Sequence, residues 1–157
     1  MRKMISCAVL ALSITALAAF GADNSIGTWK ANIEKSKYTP GPMPLKSYTA
    51  VREAVPGGVK VTTTGERADG SPIHTTYTAK FDGSDSPVTG SGAPYDTFAV
   101  KQVNANTFTA VGKNSKTKYH ADFRLVVSAD GKSMTSTAKG TDADGKPMTL
   151  TLVLEKQ

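Results

Sequence analysis

Apolar and polar side chains alternate with a period of two residues along much of this chain. Residues 73–81 show the pattern clearly: Ile73, Thr75, Tyr77, Ala79 and Phe81 share one face, and mostly polar residues occupy the other. Two further sets share a face in the same way: Tyr119, Ala121, Phe123, Leu125 and Val127, and Met148, Leu150, Leu152 and Leu154. Because successive side chains of a strand point to opposite faces, this alternation predicts half-buried β-strands.

Turn-forming residues separate these segments at short intervals. They include Gly57-Gly58, Asp69-Gly70, Asp82-Gly83, Asp130-Gly131 and Asp144-Gly145. Asp-Gly pairs favour the turns that close β-hairpins, and the short gaps leave little room for helices. We predict roughly nine or ten strands, near 26–31, 46–54, 58–66, 72–82, 86–89, 95–103, 106–112, 117–128, 132–140 and 146–155.

The predicted fold class is therefore all-β, an antiparallel meander of about eight to ten strands. A sheet of this length removes its unpaired edges by closing, which favours a closed or nearly closed up-and-down barrel. Residues 32–47 are the exception, since Pro40, Pro42 and Pro44 bar regular structure. We expect an ordered loop there that crosses one end of the barrel, with one helical turn within 32–37.

The first 21 residues have the composition of a secretory signal peptide. Arg2 and Lys3 precede an uncharged, largely apolar run, and small residues offer cleavage just after Gly21 or Ala22. The single cysteine, Cys7, lies near the start of this run and is therefore badly placed for a lipid anchor. We expect residues 1–21 to be removed and 22–157 to form one barrel domain, secreted or periplasmic, without stable membrane insertion.

The charge of the mature chain argues against nucleic acid as a partner. Of 19 Lys and Arg residues, Arg2 and Lys3 leave with the signal, so 17 remain against 13 acidic residues, a net charge of +4. These basic residues are scattered, whereas nucleic-acid binders concentrate them on one face.

Gly27-Thr28-Trp29-Lys30, at the first predicted strand, resembles the G-x-W motif that opens the lipocalins, the fatty-acid-binding proteins and the avidins. The resemblance implies a lipocalin-like (calycin-type) barrel whose closed end is plugged by Trp29. The chain departs from these families in several respects. Residues 32–47 are too short for a helical lid, Trp29 is the only tryptophan, and Arg124, the last arginine, precedes the final strand. The ligand is therefore not carried over.

The mature chain is also similar, over nearly its whole length, to a set of uncharacterised small bacterial secreted proteins with the same N-terminal GTWK motif. Four segments carry this similarity: 29–32, 35–42, 77–83 and 126–132. The resemblance brings no known activity with it.

No residue pattern in the chain points to catalysis, a metal or a cofactor. His74 and His120 lie on the polar faces of their strands, which predicts exposure to solvent rather than a metal pair or a general base. The segments 82–85 and 142–145 contain paired aspartates but lack the glutamate of an EF-hand loop, so hairpin turns explain them better. We therefore expect no enzymatic activity.

Aromatic residues on the inward faces are the candidate binding residues. They are Tyr77, Phe81, Phe98, Phe108, Tyr119 and Phe123. In a barrel of about eight strands, inward side chains either fill the interior or surround one small ligand. The first hypothesis is a monomeric exported protein that holds an apolar or amphipathic molecule in the barrel. The alternative is an envelope protein-interaction or inhibitor module with a filled barrel, whose contact surface is the Pro40–Leu45 loop.

Overall fold

The computed structural model describes residues 22–157, and the expected signal peptide, residues 1–21, lies outside them. The described residues form strands joined by turns and short loops. The strands are β1 (Gly27–Thr39), β2 (Leu45–Val55), β3 (Gly58–Arg67), β4 (Pro72–Lys80), β5 (Asp82–Pro87), β6 (Thr89–Ser91), β7 (Thr97–Asn104), β8 (Thr107–Lys113), β9 (His120–Val127), β10 (Ser133–Thr141) and β11 (Pro147–Lys156). Within this range no helix is long and apolar enough to cross a bilayer.

All eleven strands belong to one antiparallel sheet, which confirms the predicted fold class. Their order is β5-β7-β8-β9-β10-β11-β1-β2-β3-β4-β6. Apart from β5 and β6, neighbours in sequence are neighbours in the sheet, and β1 lies between β11 and β2. The first and last long strands therefore pair, as in an up-and-down barrel.

The segment 82–91 brings the two edges of the sheet together. Its first part, β5, pairs with β7, where Ser86 lies opposite Phe98. Its second part, β6, pairs with β4, where Gly90 lies opposite Thr75. One bent segment thus changes partner at Val88 and leaves the barrel nearly closed.

The prediction of a loop over 32–47 with a helical turn within 32–37 was wrong for residues 32–39, because β1 continues through Thr39. Its pairing with β11 shifts between Asn32 and Lys37, where a bulge interrupts the ladder. Ser36 fills the interruption: its hydroxyl donates to the Asn32 carbonyl (2.7 Å) and accepts from the Val153 amide (3.0 Å). The backbone groups left by the bulge therefore find partners, and the strand resumes.

The predicted alternation holds in the strands. In β4 Ile73, Thr75, Tyr77 and Ala79 are buried, and the intervening His74 and other residues face outward. The inward residues form two buried clusters. The larger includes Trp29, Phe98, Phe108 and Leu154, and the smaller consists of Tyr119, Ala121, Ala138 and Met148. The interior is therefore built mainly by the residues that the period-two pattern selects.

The two ends of the barrel differ. At one end lie the irregular segment 40–44, which confirms that prolines exclude regular structure there, and the turns after β3, β6, β8 and β10. The opposite end holds the first residues of the described chain, where the Asn24 amide donates to the Ala105 carbonyl (3.0 Å). We call these the loop end and the N-terminal end.

Candidate functional site

A cavity of about 320 Å³ occupies the barrel interior and reaches the surface at the loop end. Side chains of β1–β4, β7 and β9–β11 contribute to its wall, and Pro44, Pro94 and Asp144 lie at its mouth. Its wall is mainly apolar, with contributions such as Val61, Leu152 and Leu154. The volume lies at the lower end of the range usual for small-molecule pockets, about 300–1,000 Å³.

Trp29 is fully buried in the N-terminal half of the barrel. Its indole Nε1 donates to the Ser25 carbonyl at 2.7 Å, and the Lys156 ammonium lies 5.3 Å from its ring. Ser25 is itself fully buried, and its amide and hydroxyl both donate to Asp23 Oδ1. Trp29 and the segment 23–26 together occupy the N-terminal end of the barrel.

Four of the six predicted aromatic residues line the cavity: Tyr77, Phe98, Tyr119 and Phe123. Phe98 links two of them, because its ring centre lies 5.1 Å from that of Tyr77 and 5.2 Å from that of Phe123. Such spacings are typical of packed aromatic pairs. Tyr119 joins this aromatic wall through Tyr95, whose ring centre lies 6.1 Å from that of Tyr119 and 6.3 Å from that of Phe123.

Phe81 and Phe108 lie elsewhere in the interior. Their ring centres are 5.4 Å apart, and neither residue lines the cavity. Phe108 is fully buried and the Arg52 guanidinium carbon lies 5.8 Å from its ring centre. These two residues belong to the packed part of the core.

Sequence reasoning missed Arg52, which lines the cavity and is only 4% exposed. It lies opposite Gly27 in β1 and Val61 in β3, and Val61 in turn lies opposite Tyr77 in β4. The sequence did indicate this position, because Arg52 follows Tyr48 and Ala50 at intervals of two residues and therefore shares their face of the strand. That spacing places the arginine on the inward face.

Three further tyrosines of the cavity wall, Tyr38, Tyr48 and Tyr95, were also absent from the predicted set. Tyr95 packs against Phe98, with ring centres 4.8 Å apart. It lies before β7, which begins at Thr97 and not at residue 95 as predicted, so the alternation of that strand does not set its direction. Tyr48 starts the inward series of β2 that ends at Arg52.

Burial raises the pKa of the phenol groups of the wall, which are protonated at neutral pH even when exposed. It raises the pKa of Tyr77 to about 12, although the positive charge of Arg52 opposes the shift. Burial also raises the pKa of Tyr95 and Tyr119 well above the ordinary range. The tyrosines therefore present neutral hydroxyls to the cavity.

Of the residues weighed for metal binding or catalysis, Asp142 and Asp144 lie at the mouth of the cavity, and the others lie outside it. His74 and His120 are exposed on the outer surface, as predicted. Asp82 Oδ1 accepts from the Ser84 amide (2.9 Å), and Asp142 Oδ1 accepts from the Asp144 amide (3.0 Å). These two aspartates thus stabilise turns. Residues 22–157 contain no group of three or more His, Cys, Asp or Glu side chains placed to hold a metal.

The Pro40–Leu45 loop is only partly exposed. Pro42 faces solvent, whereas Met43 and Leu45 are half-buried and Leu45 packs against the core. The alternative hypothesis required an exposed apolar patch at these three residues and a filled barrel. The structure instead shows a cavity, with Pro44 and Leu45 in its wall.

The fold and the site define a class: an up-and-down β-barrel with an internal, mainly apolar cavity that opens at one end. No family model matches the chain, and no curated protein matches it. Solved structures do resemble it. EF1p2_mFAP2b, determined bound to DFHBI, shares 14% identity at a TM-score of 0.51, covering 85% of this chain and 94% of its own.

The S-type phycobiliprotein lyase CPES from Guillardia theta is similar to the same extent. It shares 12% identity at a TM-score of 0.51, and the alignment covers 85% of this chain and 88% of the lyase. At these identities the likeness shows the fold alone. It agrees with the barrel expected from the lipocalin resemblance.

Proposed function

We propose that this chain is an exported protein that binds one small apolar or amphipathic molecule inside its barrel. The observation that carries the proposal is the cavity of about 320 Å³, whose wall is mainly apolar and whose mouth opens between the loops. Cores of proteins are normally packed without voids of this size. A retained cavity of pocket size in a barrel of about 135 residues is therefore best explained by an occupant.

The wall supplies the groups that such an occupant requires. Phe98, Phe123 and Leu152 offer apolar surface, and Tyr77, Tyr95 and Tyr119 add neutral hydroxyls that donate or accept hydrogen bonds. EF1p2_mFAP2b, a protein of the same fold, was determined with DFHBI bound, which supports ligand binding by a barrel of this kind. We propose binding without covalent chemistry, by a monomer.

The test of binding is native mass spectrometry of the mature protein purified from its own host, followed by organic extraction. We expect a stoichiometric small molecule that is released on denaturation. Ser136 lines the cavity on β10, so Ser136→Phe should fill the space and release the molecule. Thr137→Phe, on the exposed face of the same strand, should retain it. An apo mass for the unchanged protein, together with no binding of added apolar probes, would contradict the proposal.

Export is tested separately by the mass of the same sample. The apolar segment before Gly21 leads us to expect a mature chain that begins at Ala22 or Asp23 and is recovered from the periplasm or the medium. Recovery of the full-length chain from the cytoplasm would contradict export and would leave the binding proposal standing.

A further inference from the structure

Arg52 is a buried cation at the inner end of the cavity. Its side chain is 4% exposed, and its Nε donates to the Ser25 hydroxyl at 3.0 Å. Its Nη2 is buried and has no hydrogen-bond partner among residues 22–157. A buried charged donor without a partner costs free energy, and native proteins keep few of them.

No carboxylate of residues 22–157 lies within 4.0 Å of the Arg52 guanidinium. The nearest link to an acidic group passes through Ser25, whose hydroxyl accepts from Arg52 Nε and donates to Asp23 Oδ1 (2.6 Å). That link serves the Nε side of the guanidinium only. Tyr77 lies on β4, across β3 from Arg52. Its phenol is neutral near pH 7 and therefore supplies no negative charge to the guanidinium.

We propose that the ligand of this cavity is a monocarboxylate whose carboxylate group binds the Arg52 guanidinium at the inner end of the barrel. The inference rests on the proposed function and specifies its ligand class. The apolar part of the ligand then lies along the aromatic wall of Tyr77, Phe98 and Phe123, toward the mouth.

Three features favour a carboxylate over other polar groups. An arginine donor is matched best by a planar oxyanion, which forms short, charge-assisted hydrogen bonds. A second arginine of the cavity wall, Arg67, lies at the loop end and donates to the Gly92 carbonyl (2.7 Å), so the inner end offers a single positive charge. One positive charge in a mainly apolar site matches a singly charged head group better than a phosphate.

The test compares two probes of the same length and shape, decanoate and decanamide, by isothermal titration calorimetry at pH 7.5 on the delipidated mature protein. The two probes differ in the negative charge of the head group. We expect decanoate to bind at least about tenfold more tightly, since hydrogen bonds between two charged groups are stronger than those to a neutral amide.

Three variants locate the head group. Arg52→Gln should reduce decanoate affinity by about tenfold or more and leave decanamide affinity nearly unchanged, and Arg52→Lys should keep part of the preference for the anion. Arg67→Gln removes the other cavity arginine, and Arg124→Gln removes an exposed arginine of β9. Both of these should preserve the preference for decanoate.

The outcomes separate the two proposals. Equal affinity for decanoate and decanamide in the unchanged protein, or loss of the preference in Arg67→Gln rather than Arg52→Gln, would overturn the carboxylate inference and leave ligand binding intact. Binding of neither probe, with no molecule recovered from the host protein, would overturn both. The comparison of decanoate with decanamide in the unchanged protein tests the carboxylate inference even if Arg52→Gln fails to fold.

Discussion

At the scale of single residues, Arg52 carries a buried donor that has no hydrogen-bond partner among the described residues, its Nη2. Burial of a guanidinium costs several kcal/mol unless its donors are paired. The phenol groups around it are neutral and therefore do not compensate its charge. A residue that lowers the stability of the ligand-free fold is typical of a binding site.

Replacing Arg52 with methionine should therefore stabilise the ligand-free protein. Methionine replaces the aliphatic part of the arginine side chain and removes the unpaired charge, and replacing buried ionic groups with apolar residues can gain about 1–4 kcal/mol. The measurement is urea denaturation of the delipidated protein. Arg124→Met, on the outer face, is the control and should change the free energy of unfolding by less than about 0.5 kcal/mol. A lower stability for Arg52→Met would show that the arginine supports the fold.

Ser25 joins Arg52, Trp29 and Asp23. Its hydroxyl accepts from Arg52 Nε, and its carbonyl accepts from the Trp29 indole. Ser25→Ala should destabilise the protein by about 1–3 kcal/mol, because it leaves a second donor of the buried guanidinium unpaired. The same urea experiment measures it, and in the Arg52→Met background the cost of Ser25→Ala should shrink. An equal cost in both backgrounds would argue against the link.

At the scale of elements, closure of the barrel depends on the bent segment formed by β5 and β6. Gly90 makes the second pairing possible. Its φ is +100°, and a Cβ at this position would lie 2.0 Å from the His74 carbonyl oxygen in β4. A side chain here therefore conflicts both with the backbone conformation and with the neighbouring strand.

Gly90→Ala should separate β6 from β4 while β5 stays paired with β7. Hydrogen exchange should show faster exchange for the amides of Thr89–Ser91 and of the β4 residues that face them, and unchanged protection along β5 and β7. Gly83→Ala is the matched control: φ is +81° there, but nothing lies within 4 Å of the added carbon. Its cost should be limited to the backbone strain of about 1–2 kcal/mol. Equal effects of both variants would contradict this role of Gly90.

At the scale of the whole molecule, the buried tyrosines should make the free energy of unfolding depend on pH in the alkaline range. A folded-state pKa above that of the unfolded chain means that the unfolded state loses its proton first as pH rises. Tyr77 is raised from 10.0 to about 12 in the folded protein. The free energy of unfolding is therefore unaffected by this group below about pH 10 and should fall between about pH 10 and 12.

The slope from one such tyrosine approaches about 1.4 kcal/mol per pH unit within that window. Tyr77→Phe removes the group, so the decline measured by urea denaturation from pH 9 to 11.5 should become shallower. Tyr38→Phe is the control, because Tyr38 is half-exposed and should change the slope less. Parallel curves for the unchanged protein and Tyr77→Phe would show that Tyr77 ionises equally in both states.

Much of the barrel followed from local patterns in the sequence. Period-two alternation and Asp-Gly turns are properties of neighbouring residues, and they predicted the class of fold, most strands and the burial of the aromatic residues in β4, β7, β8 and β9. The continuation of β1 past Asn32 could not be predicted in this way, because Ser36 of β1 completes the bulge with Val153 of β11, which is distant in sequence.

The site depended on tertiary structure for the same reason. An alternating pattern predicts that a side chain points inward, but it does not predict whether neighbouring side chains fill the interior around it. In the folded barrel, Phe81 and Phe108 lie in the packed part of the core. The other predicted aromatic residues surround the cavity: Tyr77, Phe98, Tyr119 and Phe123. Whether an inward arginine finds a partner is decided by the residues that reach it from other strands and from the N-terminal segment, and that assembly leaves Arg52 Nη2 unpaired.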